Sequence, residues 1–215
     1  MSKSTLYWFV WLLPPALYNP LVEGTKSPEF DLRRPVASAA AVLRAIFLAP
    51  RRFYLNFQAD GPFREPLLFV LLVSAISGIL SIVINLVFAA VFGTGASLAG
   101  VAVSNLAFVV LSPVLIGAAA GAYLLSVRTF IGPEGKFQEV YRMLAYAYGA
   151  MILFPFPLLN ALAFTYATLI LMLLGIRSVY RTSFLTALIT SLAGFVPVAL
   201  AFIYLLVTVN GLVAR

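Results

Sequence analysis

The chain contains no cysteine and no histidine, and each absence removes a class of chemistry. Without cysteine there is no thiolate nucleophile, no disulfide and no Cys/His zinc site. Without histidine there is no imidazole acid–base pair and no Ser-His-Asp triad, so the Ser97 of "GTGAS" has no histidine to activate it. Charge is equally scarce at 10% of residues, with seven acids in 215. Glu134, Glu139, Asp60 and Glu65 all fall in segments that flank long apolar runs, where carboxylates serve solvation or pair with arginine. The sequence offers no catalytic set, no metal ligands and no cofactor motif, so an enzyme is not expected.

What the chain has in abundance is apolar surface: 63% hydrophobic residues and a mean hydropathy of +1.05. A single soluble core of this length cannot enclose that much, so the bilayer must act as solvent. The 62 residues between Glu65 and Arg128 carry no charge, enough for two spans of roughly 20 residues or more. The net charge of +7 follows no nucleic-acid module, and in a membrane protein it is explained first by topology and by anionic headgroups. No nucleic-acid partner is expected.

Residues 1–65 hold eight of the fourteen basic residues and five of the seven acids and form a cytoplasmic and interfacial region. Within it, "TLYWFVWLLPPALYNPLV" (5–22) is broken by Pro14 and Pro15 and crowded with Tyr7, Trp8, Phe9 and Trp11, which suits headgroup depth better than a span. Residues 35–57 place Val36, Ala39, Leu43 and Phe47 at helical spacing, with Phe53 and Phe57 beyond Pro50 and with Arg44 and Arg51 on the opposite face. This is an amphipathic helix interrupted near Pro50, lying on an anionic leaflet or packed on the membrane domain.

Residues 66–215 divide into spans at about 66–92, 101–127, 137–154, 158–176 and 184–209. The second carries Pro113 and a "GAAAG" strip, Gly117 to Gly121, whose GxxxG spacing lets helix backbones approach and would also permit a homo-oligomer. From Phe137 to Ile176 the chain would measure about 60 Å as one helix, twice the hydrocarbon thickness. Pro155 and Pro157 in "MILFPFPLLN" therefore mark a turn between two short spans, and the residues ahead of each proline should leave α geometry.

The distribution of lysine and arginine tests that count. With five spans and a cytoplasmic N-terminus, all basic residues but Arg215 fall inside; with four, Arg177 and Arg181 move outside. The positive-inside bias favours five, with the C-terminus outside.

In order and spacing, "LAPRRFYLNF" (48–57), "GPFREPLLF" (61–69), "GKFQEVYRMLAYAY" (135–148), the paired short spans around "PFP" and "GIRSVYRTSFLTAL" (175–188) resemble the Yip family, the Ypt/Rab-interacting membrane proteins. The resemblance covers roughly residues 40–210. It implies a cytoplasmic N-terminal part followed by five clustered spans, an all-α polytopic bundle. Asp60, Gly61, Pro62 and Phe63 correspond to the Asp and Gly-Pro-Phe of the family's DLYGPFW-like motif. The Leu-Tyr pair is missing and Arg64 replaces the aromatic, so Rab binding is not carried over. The short N-terminal region is similar to that of prokaryotic relatives, which implies the prokaryotic cytoplasmic membrane.

Two functional readings remain. In the first, the chain is a noncatalytic membrane scaffold or adaptor whose basic cytoplasmic face (Arg51, Arg52, Arg64, Lys136, Arg142, Arg177 and Arg181) attracts anionic lipid headgroups or other membrane proteins. Topology alone would produce a similar distribution. In the second, it is a channel or transporter for a small neutral solute along Asn85, Asn105, Asn160 and neighbouring hydroxyls such as Ser74, Ser112 and Thr168. Apart from Glu139 and Arg142 near the start of the third, the spans hold no Asp, Glu, Lys or Arg for ion coupling, and Asn and Ser between helices more often act as hydrogen-bonding glue.

Overall fold

The computed structural model describes residues 26–93 and 97–213, and all of its regular structure is helical. The expectations for residues 5–22 and for Arg215 lie outside the described residues.

The first helix, α1 (Pro35–Leu48), has proline in its first turn, where the missing N–H costs nothing. It stops at Ala49, whose φ of −145° precedes Pro50, and a short α2 (Pro50–Leu55) follows. The fully buried residues of α1 are Ala39, Val42 and Ile46; of the stripe expected from spacing, Ala39 is buried, Leu43 and Phe47 pack half-buried against the core, and Val36 alone is exposed. The reason is what the helix meets. Phe47 stacks on Tyr166 with ring centroids 6.1 Å apart, and the Tyr166 hydroxyl donates to the Ile46 carbonyl at 2.7 Å. Of the two placements open from sequence, α1 takes the one packed on the bundle.

Three long helices follow the expected pattern: α3 (Arg64–Phe92), α4 (Leu98–Phe130) and, last in the chain, α8 (Phe184–Val213). Glu65 complements the dipole at the start of α3, and Gly93 ends it in the left-handed conformation at φ +64°, its N–H bonded to Ala89. Ser97 caps α4 by accepting from the Gly100 N–H at 3.1 Å, and Ser183 caps α8 by accepting from Thr186 at 3.1 Å. All three leave apolar side chains exposed along their length, among them Ile79, Val110 and Leu200, which water would penalise and lipid would not.

Between α4 and α8 lies a helical hairpin. Its first arm is α5 (Phe137–Ala147), tightening into a 3₁₀ segment (Tyr148–Leu153). Its second arm is α6 (Asn160–Thr165), a π segment (Tyr166–Leu171) and α7 (Met172–Val179) without a break. The connection holds Pro155 and Pro157. Phe154, directly ahead of Pro155, keeps right-handed helical angles (φ −60°, ψ −35°), contrary to the expectation that it would leave them. The helix ends because the prolines have no N–H to donate: the Leu153 carbonyl is satisfied by Phe156 three residues on, and regular α geometry returns at Asn160.

Among the described residues, four helical stretches are long and apolar enough to cross a membrane: Arg64–Phe92, Leu98–Phe130, Asn160–Val179 and Phe184–Leu205. The arm 137–153 is different. Every residue from Val140 to Met151 is buried, enclosed by α3, α4, the second arm and the α1–α2 pair. A segment walled by protein on all sides needs no lipid-compatible surface, which accounts for "FQEVYRMLAYAYGA". With 11 residues at 1.5 Å and six 3₁₀ residues at about 2.0 Å, the arm is about 28 Å long.

Candidate functional site

Charged side chains gather where three chain ends meet: the approach to α3, the α4–α5 connection and the α7–α8 connection. Lys136 lies 3.5 Å from Asp60 and 3.6 Å from Glu139, and Glu139 accepts a 3.0 Å hydrogen bond from the Tyr180 hydroxyl. Asp60 foremost, with Glu139, raises the Lys136 pKa above its usual value. Burial, reinforced by the Glu139 carboxylate, raises that of Tyr180. Glu139 thus joins two connections that are far apart in sequence.

Arg142 sits beneath this layer, only 1% exposed. Its Nη2 pairs with the Glu29 carboxylate at 2.8 Å, Nη1 donates to the Pro62 carbonyl at 2.7 Å, and Nε donates to the Gln58 carbonyl at 3.2 Å. A Cβ on Gly61 would come within 2.7 Å of the guanidinium. The Asp60-Gly61-Pro62-Phe63 stretch is therefore a cradle: glycine permits the backbone to close over the arginine, and the carbonyls on either side bind it. Gln138 adds a hydrogen bond to the Gly61 carbonyl, and Phe63 packs edge-on against Tyr141 at 5.4 Å. Sequence reading placed Arg142 on a basic surface and gave Glu29 no role. Their union depends on a separation of 113 residues, which no local pattern reveals.

The other six cations divide by exposure. Arg52, Arg64, Lys136 and Arg181 are exposed, Arg51 is half-buried, and Arg177 is buried with its guanidinium 5.8 Å from the Phe184 ring. Arg51 and Arg177 are within electrostatic reach of each other, where α2 packs on α7. Arg181 occupies the α7–α8 turn with φ +48°.

The asparagines read as helix glue or a solute path do not converge, although two of the hydroxyls read with them, Ser74 and Ser112, meet at 2.8 Å. Asn105 donates to Val101 of its own helix at 2.9 Å and packs against Gly78 of α3, and Asn160 accepts from Ala161 at 2.6 Å. Asn85 is half-buried on α3. Gly117 and Gly121 have no atom within 4 Å of where a Cβ would stand, so the two glycines do not mark a close helix approach within the described chain, although Ala120 between them is buried in the core. The close approach is at Gly194 of α8, which lies directly on the Tyr123 ring of α4.

A deeper polar cluster is completed by Tyr148, which the sequence reading did not single out. Its hydroxyl donates to Ser74 (2.9 Å), Ser74 donates to Ser112 (2.8 Å), and Ser112 donates to the Val109 carbonyl (2.9 Å). One hydroxyl from each of three helical segments is thereby satisfied at mid-depth.

No match is found among curated proteins or among solved structures. The family model of the Yip1 domain matches residues 44–207, about three quarters of the chain, spanning the Arg142 cradle, the hairpin and most of α8. This chain is an integral membrane protein and belongs to the Yip1 domain family.

Proposed function

We propose that this protein is a noncatalytic scaffold of the Yip type that crosses the membrane five times and organises lipids or membrane proteins through its basic end. The observation that carries the reading is the meeting of Asp60–Lys136, Glu139–Tyr180 and Arg142–Glu29 at a single end of the bundle. That end holds the start of α3, the end of α4, the start of α5 and the end of α7. Such alternation is the pattern of successive antiparallel crossings, in which the buried arm 137–153 is the third span. At about 28 Å it approaches the roughly 30 Å hydrocarbon thickness.

In this arrangement the N-terminus and the basic connections face the cytoplasm, the Pro-Phe-Pro turn and the C-terminus face outward, and the membrane is that of a prokaryotic cell. Arg51, Arg52, Arg64, Lys136 and Arg181 form the surface offered to anionic headgroups or to an acidic partner. Arg142 and Arg177 support it from within. Membership in the Yip1 family favours the noncatalytic role. No feature of the asparagines favours a solute path.

The test is association of spin-labelled anionic phospholipid with the protein in vesicles at low salt. Near the surface each cation contributes about 1 kcal/mol, so Arg51→Gln with Arg52→Gln should weaken association by roughly 30-fold. Association that stays unchanged in the double variant rules the basic surface out as the binding face.

A further inference from the structure

Midway along the bundle and toward the Pro-Phe-Pro end lies a cavity of about 380 Å³ among α4, the 3₁₀ segment, the π segment and α8. Two of its walls are irregular helix, Tyr148–Leu153 being 3₁₀ and Tyr166–Leu171 π, and the other two, α4 and α8, carry Pro113 and Pro197 inside continuous α-helix. Helical irregularities of these kinds collect at functional sites, and at membrane depth they persist only where they are buried or line a cavity.

The opening follows from two residues of α8. Gly194 holds the helix against Tyr123, and Pro197, one turn later, lies at the cavity wall. Beyond that point Leu115 of α4 and Ala201 and Tyr204 of α8 are both cavity-lining and exposed, so the space communicates sideways with the surroundings of the bundle.

The wall chemistry selects the occupant. Almost all of the lining is aliphatic or aromatic. The hydroxyl protons of Tyr148, Ser112 and Thr168 are already donated, the last to the Phe164 carbonyl at 2.7 Å. A polar solute or a headgroup would find a donor only at the mouth, from the exposed Tyr204 hydroxyl, and none farther in, whereas an unbranched hydrocarbon requires none. Taking a methylene as about the volume of a water molecule in the liquid, roughly 30 Å³, the space accepts on the order of ten such groups.

We propose that this cavity binds one acyl chain of a bilayer phospholipid, which enters sideways between α4 and α8. The site is separate from the basic end and requires only that the bundle sit in a membrane. Hydrocarbon passing from the bilayer into the cavity gains no hydrophobic free energy, so selection among chains rests on shape and packing.

The full-length protein in phosphatidylcholine vesicles that contain a phospholipid with a photoactivatable group in its acyl chain tests this. Ordinary surrounding lipid will label lipid-facing positions such as Val103 and Val110, which are 68% and 64% exposed. Occupancy of the cavity adds label at Met151 and Ala167, which line it but are 4% and 2% exposed. Ala201→Phe, placed at the mouth, should lower label at Met151 by about tenfold, equivalent to 1.4 kcal/mol, with Val110 unchanged. Label at Val103 and Val110 with none at Met151 and Ala167 in the wild-type protein overturns the proposal, whatever the variant does.

Discussion

Removing the Arg142 side chain should release the N-terminal segment from the bundle. Arg142→Met keeps comparable bulk but leaves the Gln58 and Pro62 carbonyls without their donor and Glu29 without its cation. A buried acceptor that loses its partner costs about 1–3 kcal/mol, and breaking a fully buried ion pair costs about 3–5 kcal/mol. The Glu29 side chain is 29% exposed, so water recovers part of its loss and about 3 kcal/mol is the expected total. Ser27, buried with its hydroxyl on the Phe53 carbonyl, reports the opening. In a Ser27→Cys parent, the sole thiol of the chain, maleimide labelling should accelerate by roughly 100-fold when Arg142→Met is added, since 1.4 kcal/mol is a factor of ten. Arg142→Lys, which keeps the charge but not the three-way fork, should fall between. Equal labelling rates in parent and double variant would refute the assignment of Arg142 as the clamp.

Gly194→Ala forces a methyl into the Tyr123 ring and should destabilise the detergent-solubilised protein by about 1–3 kcal/mol. Gly117→Ala and Gly121→Ala meet open space and should raise thermal stability, by about 0.5–1 kcal/mol each; destabilisation instead would indicate that the strip contacts another molecule. Alkaline titration supplies a third check. Tyr54 and Tyr180 both have pKa values raised above 10.0, Tyr54 chiefly by burial and Tyr180 by burial and Glu139. The folded state therefore holds these protons more tightly than the unfolded chain does, and stability is complete below the unfolded pKa and lost as pH rises beyond about 10. Tyr54→Phe should flatten that loss, and a stability profile insensitive to the substitution would contradict it. Finally, Leu158→Cys in the Pro-Phe-Pro turn, 90% exposed in the parent, should react with an impermeant maleimide in intact cells while Glu134→Cys stays protected. The reverse pattern would place the Pro-Phe-Pro turn inside and invert the proposed orientation.

The long helices were legible because their signal is local, an apolar run between turns, although the ends set by Gly93 and by the Ser97 cap were not read and α4 begins at Leu98 rather than near 101. The hairpin break was legible from Pro155 and Pro157, although its mechanism was not, since Phe154 stays helical and the missing donors do the work. The stripe on α1 was legible at Ala39, Leu43 and Phe47, but the burial of Ile46 beside it was not, because it is decided by Tyr166 and Gly149, far away in sequence. Among the candidate residues, Arg142 and Arg177 looked like the other cations, and nothing in their neighbourhoods announces burial. The sequence pointed toward a cavity through Pro113 and the break at Pro155 and Pro157 alone; the 3₁₀ and π segments have no marking residue.

The enclosure of the arm 137–153 bears on how the protein is made. An arginine at the centre of a membrane helix carries an insertion cost of about 2.5–3.5 kcal/mol, and α5 combines Arg142 with Glu139 and Gln138 near one end of a short arm. Such a segment has little reason to leave the insertion machinery alone. It would have to wait for Asn160–Val179 and settle between α3 and α4 as one half of a pair. Residues 26–63, although synthesised well before the hairpin, can lock only after Arg142 has arrived, so this segment closes later than the arm that follows it in the chain.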